Sequence, residues 1–81
     1  MNSNLKDNKF VFMGNRRFVL DEMNKLNLDI VSTLVVEGSF LARQLINEER
    51  KFKSINSKDQ LLKILFSIEF DYLILNGCPY I

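Results

Sequence analysis

Four short apolar runs recur along the 81-residue chain at intervals of about twenty residues. They occupy residues 10–13, 30–36, 52–55 and 72–75, and the third is the weakest. One interval is long enough for a strand, a helix and two short loops. The first, second and fourth runs are rich in β-branched or aromatic residues and do not alternate with polar ones. That composition is typical of strands buried on both faces of a parallel sheet.

The segments between these runs carry helical patterns. After the first run, Val19, Met23 and Leu26 fall on one helix face, and Asn27 is a suitable left-handed stop. A second helix is predicted from residue 40 to about residue 49, with Ser39 as its N-cap. Its apolar positions pair at i, i+4 spacing: Leu41 with Leu45, and Ala42 with Ile46.

The third helix has the clearest start signal in the chain. Ser57 followed three residues later by Gln60 forms a capping box. The predicted buried stripe contains Leu61, Leu65 and Ile68, widened by Leu62 and Phe66.

The resulting order β-α-β-α-β-α-β predicts an α/β fold with a three-layer, Rossmann-like parallel sheet and right-handed crossovers. The expected strand order is 3-2-1-4, half of a doubly wound domain. In that order the fourth strand lies at an edge, yet residues 72–75 include no Lys or Pro. Unprotected apolar edges are usually paired or covered, so we expect a missing neighbour or a homo-oligomer through this strand. The start, residues 1–8, is expected to be flexible.

Composition excludes several chemistries. The chain is 47% hydrophobic and 26% charged with a formal charge of +1, which gives no electrostatic signal for nucleic acid. It has no His, and therefore no Ser-His-Asp triad, imidazole base or His-ligated metal. Its single cysteine, Cys78, allows neither an internal disulfide nor a multi-Cys metal site. No apolar run is long enough for a signal peptide or a membrane span, so we expect a cytoplasmic protein without membrane contact.

In open α/β sheets, ligands bind beyond the carboxyl ends of the strands, where the strand order reverses. This rule selects residues 14–17 and 76–79 as the candidate loops. Gly14 permits a tight turn, and Arg16 and Arg17 offer charge-assisted hydrogen bonds to a phosphate or carboxylate. A turn glycine beside two solvated arginines is an equally good interpretation of the same residues.

A dinucleotide site at the first of these loops is weakly supported. Glu37 follows Gly14 at about the distance of a ribose-binding acid. However, Arg16 and Val19 stand where the Gly-x-Gly-x-x-Gly fingerprint has its second and third glycines. Side chains at those positions would obstruct the approach of a pyrophosphate.

Two stretches of the chain resemble a known family. Phe12-Met13-Gly14, followed by Phe18 and Leu20, is similar to the Phe-Met-Gly-x-x-x-Phe opening of methionyl-tRNA formyltransferase. Residues 70–81, Phe-Asp-Tyr-Leu-Ile-Leu-Asn-Gly-Cys-Pro-Tyr-Ile, resemble the fourth strand and following loop of the wider formyltransferase family. That family includes glycinamide ribonucleotide formyltransferase and sugar N-formyltransferases. Because residues 37–39 do not match the methionyl-tRNA pattern, a nucleotide-linked amino sugar is an equally open acceptor.

The resemblance, which spans residues 9–81, implies a doubly wound domain that transfers a formyl group from 10-formyltetrahydrofolate to an amine. In the family, the loop after the fourth strand lines the folate pocket, largely through backbone groups. The matching residues of this chain are Gly77, Cys78, Pro79, Tyr80 and Ile81. The first βα turn lies on the acceptor side in the family, which implies substrate contacts by Gly14, Asn15, Arg16 and Arg17.

The family's reacting groups have no counterpart in this chain. They are an Asn and a His of an Asn-x-His motif on the next strand, and a later Asp. An amine attacking a formyl group needs a general base and a stabilised oxyanion. We therefore expect residues 1–81 to be the N-terminal portion of a catalytic domain, without catalytic residues and inactive alone. The alternatives are a non-enzymatic anion- or nucleotide-binding half-Rossmann module, or a small oligomeric protein that pairs its fourth strands across a two-fold axis.

Overall fold

A computed structural model describes residues 8–77 as four strands alternating with three helices. The elements are β1 (Lys9–Gly14), α1 (Arg17–Lys25), β2 (Asp29–Val36), α2 (Phe40–Asn47), β3 (Lys53–Ile55), α3 (Lys58–Ser67) and β4 (Tyr72–Asn76). All strand pairs are parallel and the sheet order is β3-β2-β1-β4. The predicted alternation and strand order are confirmed. The expectation of a flexible start concerns residues 1–8, of which 1–7 lie outside the described residues.

The three layers follow from the side-chain alternation of β1. Phe10 and Phe12 pack on one face of the sheet in a cluster with residues of α1 and α2. Val11 and Met13 pack on the other face with Leu61 of α3. All four side chains are buried because β1 has a strand on each side and helices on both faces. The unbroken apolar run in the sequence therefore marks the centre of the sheet.

Side-chain caps begin two of the helices, as the sequence predicts. The Ser39 hydroxyl oxygen accepts a hydrogen bond from the amide of Ala42 at 3.2 Å. At the start of α3, the Ser57 hydroxyl oxygen accepts from the Gln60 amide at 3.2 Å, and the Gln60 side-chain oxygen accepts from the Asn56 amide at 2.8 Å. Each such cap contributes about 1 kcal/mol of stability. By contrast, α1 has no side-chain cap of its own.

Several apolar helix positions are more exposed than the periodicity predicts. Leu26 was expected on the buried face of α1, but α1 ends at Lys25 and Leu26 is 59% exposed. Ile46 is also exposed, and Leu62 and Phe66 lie on the outside of α3, where Phe66 is 86% exposed. Successive helix positions differ by about 100° in direction, so a helix that packs one face on a sheet cannot bury such a wide stripe.

Strand β4 is less buried than its composition suggests. It pairs with β1 on one side, and on its other side no strand is present in residues 8–77. Tyr72 is 48% exposed and Leu75 is 49% exposed. Burial on both faces, predicted from the apolar run, is wrong for β4 because the strand stands at an edge. None of the helices in the described segment is long and apolar enough to cross a membrane.

Replacing Phe12 tests the central position of β1. Phe12→Ala is expected to lower the free energy of unfolding by about 3–5 kcal/mol, because it removes a ring from a fully buried site. The matched change Phe66→Ala, on the exposed face of α3, is expected to stay within about 0.5 kcal/mol. Urea unfolding followed by circular dichroism measures both. Equal losses in the two variants would contradict the packing described above.

Candidate functional site

The strand order reverses at β1, which creates the candidate site. The chain leaves β1 through α1 toward β2, and it reaches β4 on the opposite side through α3. The loops that follow β1 and β4 therefore lie side by side at the carboxyl edge of the sheet, where such folds bind ligands. We call them the first loop (residues 14–16) and the second loop (residues 76–77).

The side chain of Asn76 joins these two loops. Its amide nitrogen donates to the carbonyl oxygens of Met13 at 3.2 Å and Ile74 at 3.3 Å. Its amide oxygen accepts from the backbone N–H of Arg16 at 3.0 Å. Its own backbone carbonyl accepts from the N–H of Asn15 at 3.1 Å. Asn76 is only 8% exposed, and these bonds satisfy the polar groups that its burial would otherwise leave unpaired.

A glycine stands at the closest approach of each loop to the other. A β-carbon on Gly14 would overlap the carbonyl oxygen of Asn76. A β-carbon on Gly77 would overlap the side-chain oxygen of Asn15. Both glycines also have positive φ angles, 151° and 66°, which other residues rarely adopt. The turn role that the sequence suggests for Gly14 thus has a specific cause, the contact with the end of β4.

The same contacts determine which groups of the first loop are available to bind a ligand. The amides of Asn15 and Arg16 donate to Asn76, so they are not available to cradle a phosphate. The Arg16 side chain is exposed, and its Nε lies 3.4 Å from the position a β-carbon on Gly77 would take. It takes part in no ion pair within residues 8–77. Arg16 is therefore a cation placed at the junction of the two loops.

Arg17 is directed elsewhere. Its guanidinium forms a two-bond ion pair with Glu48, with Nη2 to Oε1 at 2.8 Å, and also bonds Asp21 at 3.3 Å. Arg50 approaches the same Glu48 carboxylate at 3.6 Å. No local sequence pattern links Glu48 to Arg17, which lies 31 positions earlier in the chain. The structure places Arg17 in this ion cluster between α1 and α2, apart from Arg16.

The ion cluster shifts the pKa values of Arg17 and Glu48. Hydrogen bonds from Arg17, followed by the nearby positive charges of Arg17 and Arg50, lower the pKa of Glu48 below its ordinary value. Hydrogen bonding to Glu48 raises the pKa of Arg17. Because the folded-state pKa of Glu48 is depressed, its stabilising contribution is present above the unfolded pKa, about 4.3, and is lost as pH falls through the folded value. The cluster is solvent-exposed, so this contribution is small.

Of the residues predicted to line a folate pocket, only Gly77 belongs to the described segment. Cys78, Pro79, Tyr80 and Ile81 lie outside it. Residues 8–77 hold no group of three or more acidic, Cys or His residues that could bind a metal. A cleft of about 370 Å³, lined by Lys9 and residues 68–71, lies at the opposite, amino edge of the sheet. It lies at the end of the strands away from the first and second loops, and ligands of open α/β sheets bind at the carboxyl edge, so these loops are the candidate site.

Comparisons with known proteins identify no relative of this chain. The chain matches no known family model, no curated protein and no solved structure. The resemblance to formyltransferases therefore stands on the residues quoted from the sequence. Asn76 falls within the second candidate loop selected from the sequence, but no role was predicted for it, although an Asn-Gly pair directly after an apolar run is the signal that marks it.

A pair of glycine substitutions tests the close approach of the loops. Gly14→Ala is expected to destabilise the protein by about 3 kcal/mol or more, because its β-carbon would force β1 away from the carbonyl of Asn76. Gly38→Ala is the control, since Gly38 also has a positive φ but has open space around it. Its expected cost is only the backbone strain, about 1–2 kcal/mol. Thermal and urea unfolding measure both, and a Gly14→Ala cost no larger than that of Gly38→Ala would contradict the contact.

Proposed function

We propose that this chain is the N-terminal part of a 10-formyltetrahydrofolate-dependent formyltransferase domain, with folate at the second loop and the amine acceptor beside the first. One observation carries the proposal. The two stretches that resemble the family, residues 12–20 and 70–81, contain the first and second loops, which Asn76 joins by hydrogen bonds across 60 or more positions of sequence. Both loops lie at the edge where α/β sheets bind ligands, which is the arrangement that a shared folate and acceptor cleft requires.

The chemistry of formyl transfer limits what these loops would contribute. The amine nitrogen attacks the formyl carbon and loses a proton to a base, and the bond from that carbon to N10 breaks as N10 takes up a proton, which releases tetrahydrofolate. Arg16 is a permanent cation and cannot be that base. The amide of Asn76 is buried and its hydrogen-bonding groups are already occupied. The proposal therefore gives the two loops a binding role and leaves the reaction to the family's Asn-x-His motif and later Asp.

The position of Arg16 supports an acceptor that carries phosphate. Both acceptors left open by the sequence, methionyl-tRNA and a nucleotide-linked amino sugar, have phosphate groups that a guanidinium binds well. A purely anion-binding module is less well supported, because the first loop has committed the amides of Asn15 and Arg16 to Asn76.

Titration of the isotopically labelled 81-residue chain with 5-formyltetrahydrofolate tests the folate half of the proposal. We expect saturable shifts of the Gly77 and Asn76 amide resonances and, when 10-formyltetrahydrofolate is supplied as the donor, no formyl transfer to any amine by the chain alone. Inorganic phosphate is the control ligand and is expected to leave the Gly77 resonance unmoved. Absence of any response at Gly77 would contradict the proposal. So would a reading frame that continues past Ile81 without an Asn-x-His motif on an apolar strand.

A second candidate function is self-association through β4. The outer side of β4 is unpaired within residues 8–77, and half-exposed Tyr72 and Leu75 flank it without any charged residue in the strand. Such an edge is a template for another strand. We propose as the alternative that β4 pairs with β4 of a second copy across a two-fold axis.

Leu75→Lys tests this alternative. A lysine on an edge strand opposes pairing with another strand, so we expect a dimer of the unchanged chain to become a monomer. Leu26→Lys, at a comparably exposed position after α1, is the matched control and is expected to leave the dimer intact. Light scattering after size-exclusion chromatography measures the mass. A monomer of the unchanged chain at high concentration would overturn self-association and leave the folate titration unaffected.

A further inference from the structure

We infer that Asn76 is a positioning residue that holds the first and second loops in one fixed arrangement, so that a shift of the second loop also shifts the start of α1. The identity of the ligand rests on the proposed function, whereas the mechanical link rests on the geometry alone. The β1–β4 pairing ends with Gly14 opposite Asn76. Beyond that pair, the link between the loops is made by the side chain and backbone carbonyl of Asn76.

The target of Asn76 explains why the link reaches α1. Arg16 is the N-cap residue of α1, and no side chain of α1 caps this helix. In an ordinary capping box, a Glu or Gln of the helix itself reaches back to the N–H of the N-cap residue. Here the amide oxygen of Asn76, from the end of β4, bonds that N–H at 3.0 Å. The first turn of α1 is therefore fixed by a residue 60 positions away.

The hydrogen bonds at position 76 require a side chain that both accepts and donates, as an amide does. Asn76 must accept from the N–H of Arg16 and donate to the carbonyl of Met13 at the same time. A side-chain amide has both an acceptor oxygen and donor hydrogens on one planar group. An ionised aspartate has the same shape and only acceptors, so it keeps the first bond and loses the second. Alanine loses both.

Amide hydrogen exchange tests the link without any ligand. In the unchanged chain we expect the Arg16 N–H to be protected from exchange, although Arg16 is an exposed loop residue. In Asn76→Ala its exchange should accelerate about tenfold or more relative to the Gln60 N–H, which the Ser57 cap protects independently. A general loss of stability would accelerate both amides together. In Asn76→Asp the Arg16 amide should retain its protection relative to Gln60.

A folate titration tests the consequence for the site. The affinity for 5-formyltetrahydrofolate is expected to fall about tenfold in Asn76→Ala, because the hydrogen bonds that fix the two loops are lost. It is expected to stay unchanged in Asn24→Ala, on the exposed surface of α1. An unchanged affinity in Asn76→Ala would overturn the positioning role. If the unchanged chain binds no folate, the formyltransferase proposal fails, while the exchange experiment still decides the link.

The unchanged chain and Asn76→Asp keep the inference testable if Asn76→Ala does not fold. An Arg16 amide that exchanges at the rate of an unstructured peptide in the unchanged chain would overturn the inference directly. Loss of Arg16 protection in Asn76→Asp, with Gln60 still protected, would do the same, because aspartate retains the acceptor.

Discussion

The fold depends on one strand that is enclosed on every side. β1 is hydrogen-bonded to β2 and β4, and its side chains enter two separate apolar clusters. Helices must therefore cover both faces of the sheet, which requires the chain to cross over repeatedly and produces the parallel order β3-β2-β1-β4. Because β1 is also where that order reverses, the same constraint brings the loops after β1 and β4 together.

The candidate site is formed by this enclosure. Parallel neighbours end at the same edge, and the backbone at the end of β4 lies so close to Gly14 that this position has no room for a side chain. Asn76 then satisfies the polar backbone groups at this crowded point, including the N–H at the start of α1. A glycine in the first βα turn of such a fold suggests phosphate binding, but here its immediate neighbour is protein.

The charged residues near the site divide into two roles. Arg17 is held by Glu48 and Asp21, so it connects α1 to α2 and contributes to the fold. Arg16, the preceding residue in sequence, lies beside Gly77 and outside that cluster. Two adjacent arginines thus have different roles: Arg17 is held in an ion cluster of the fold, and the Arg16 side chain is outside it. The proposed transferase role uses the second and does not need the first.

Local patterns in the sequence determined the order of elements, the caps at Ser39 and Ser57, the stop at Asn27 and the sheet order, because each depends on residues close together in the chain or on general crossover rules. Only the tertiary structure decided that Phe66 and Leu75 are exposed, since burial depends on what covers a side chain and not on its polarity. It alone also decided the partners of Arg17 and Asn76. Those contacts join positions 31 and 60 residues apart, and hydrogen bonds over such separations follow from how elements pack, which no local pattern records.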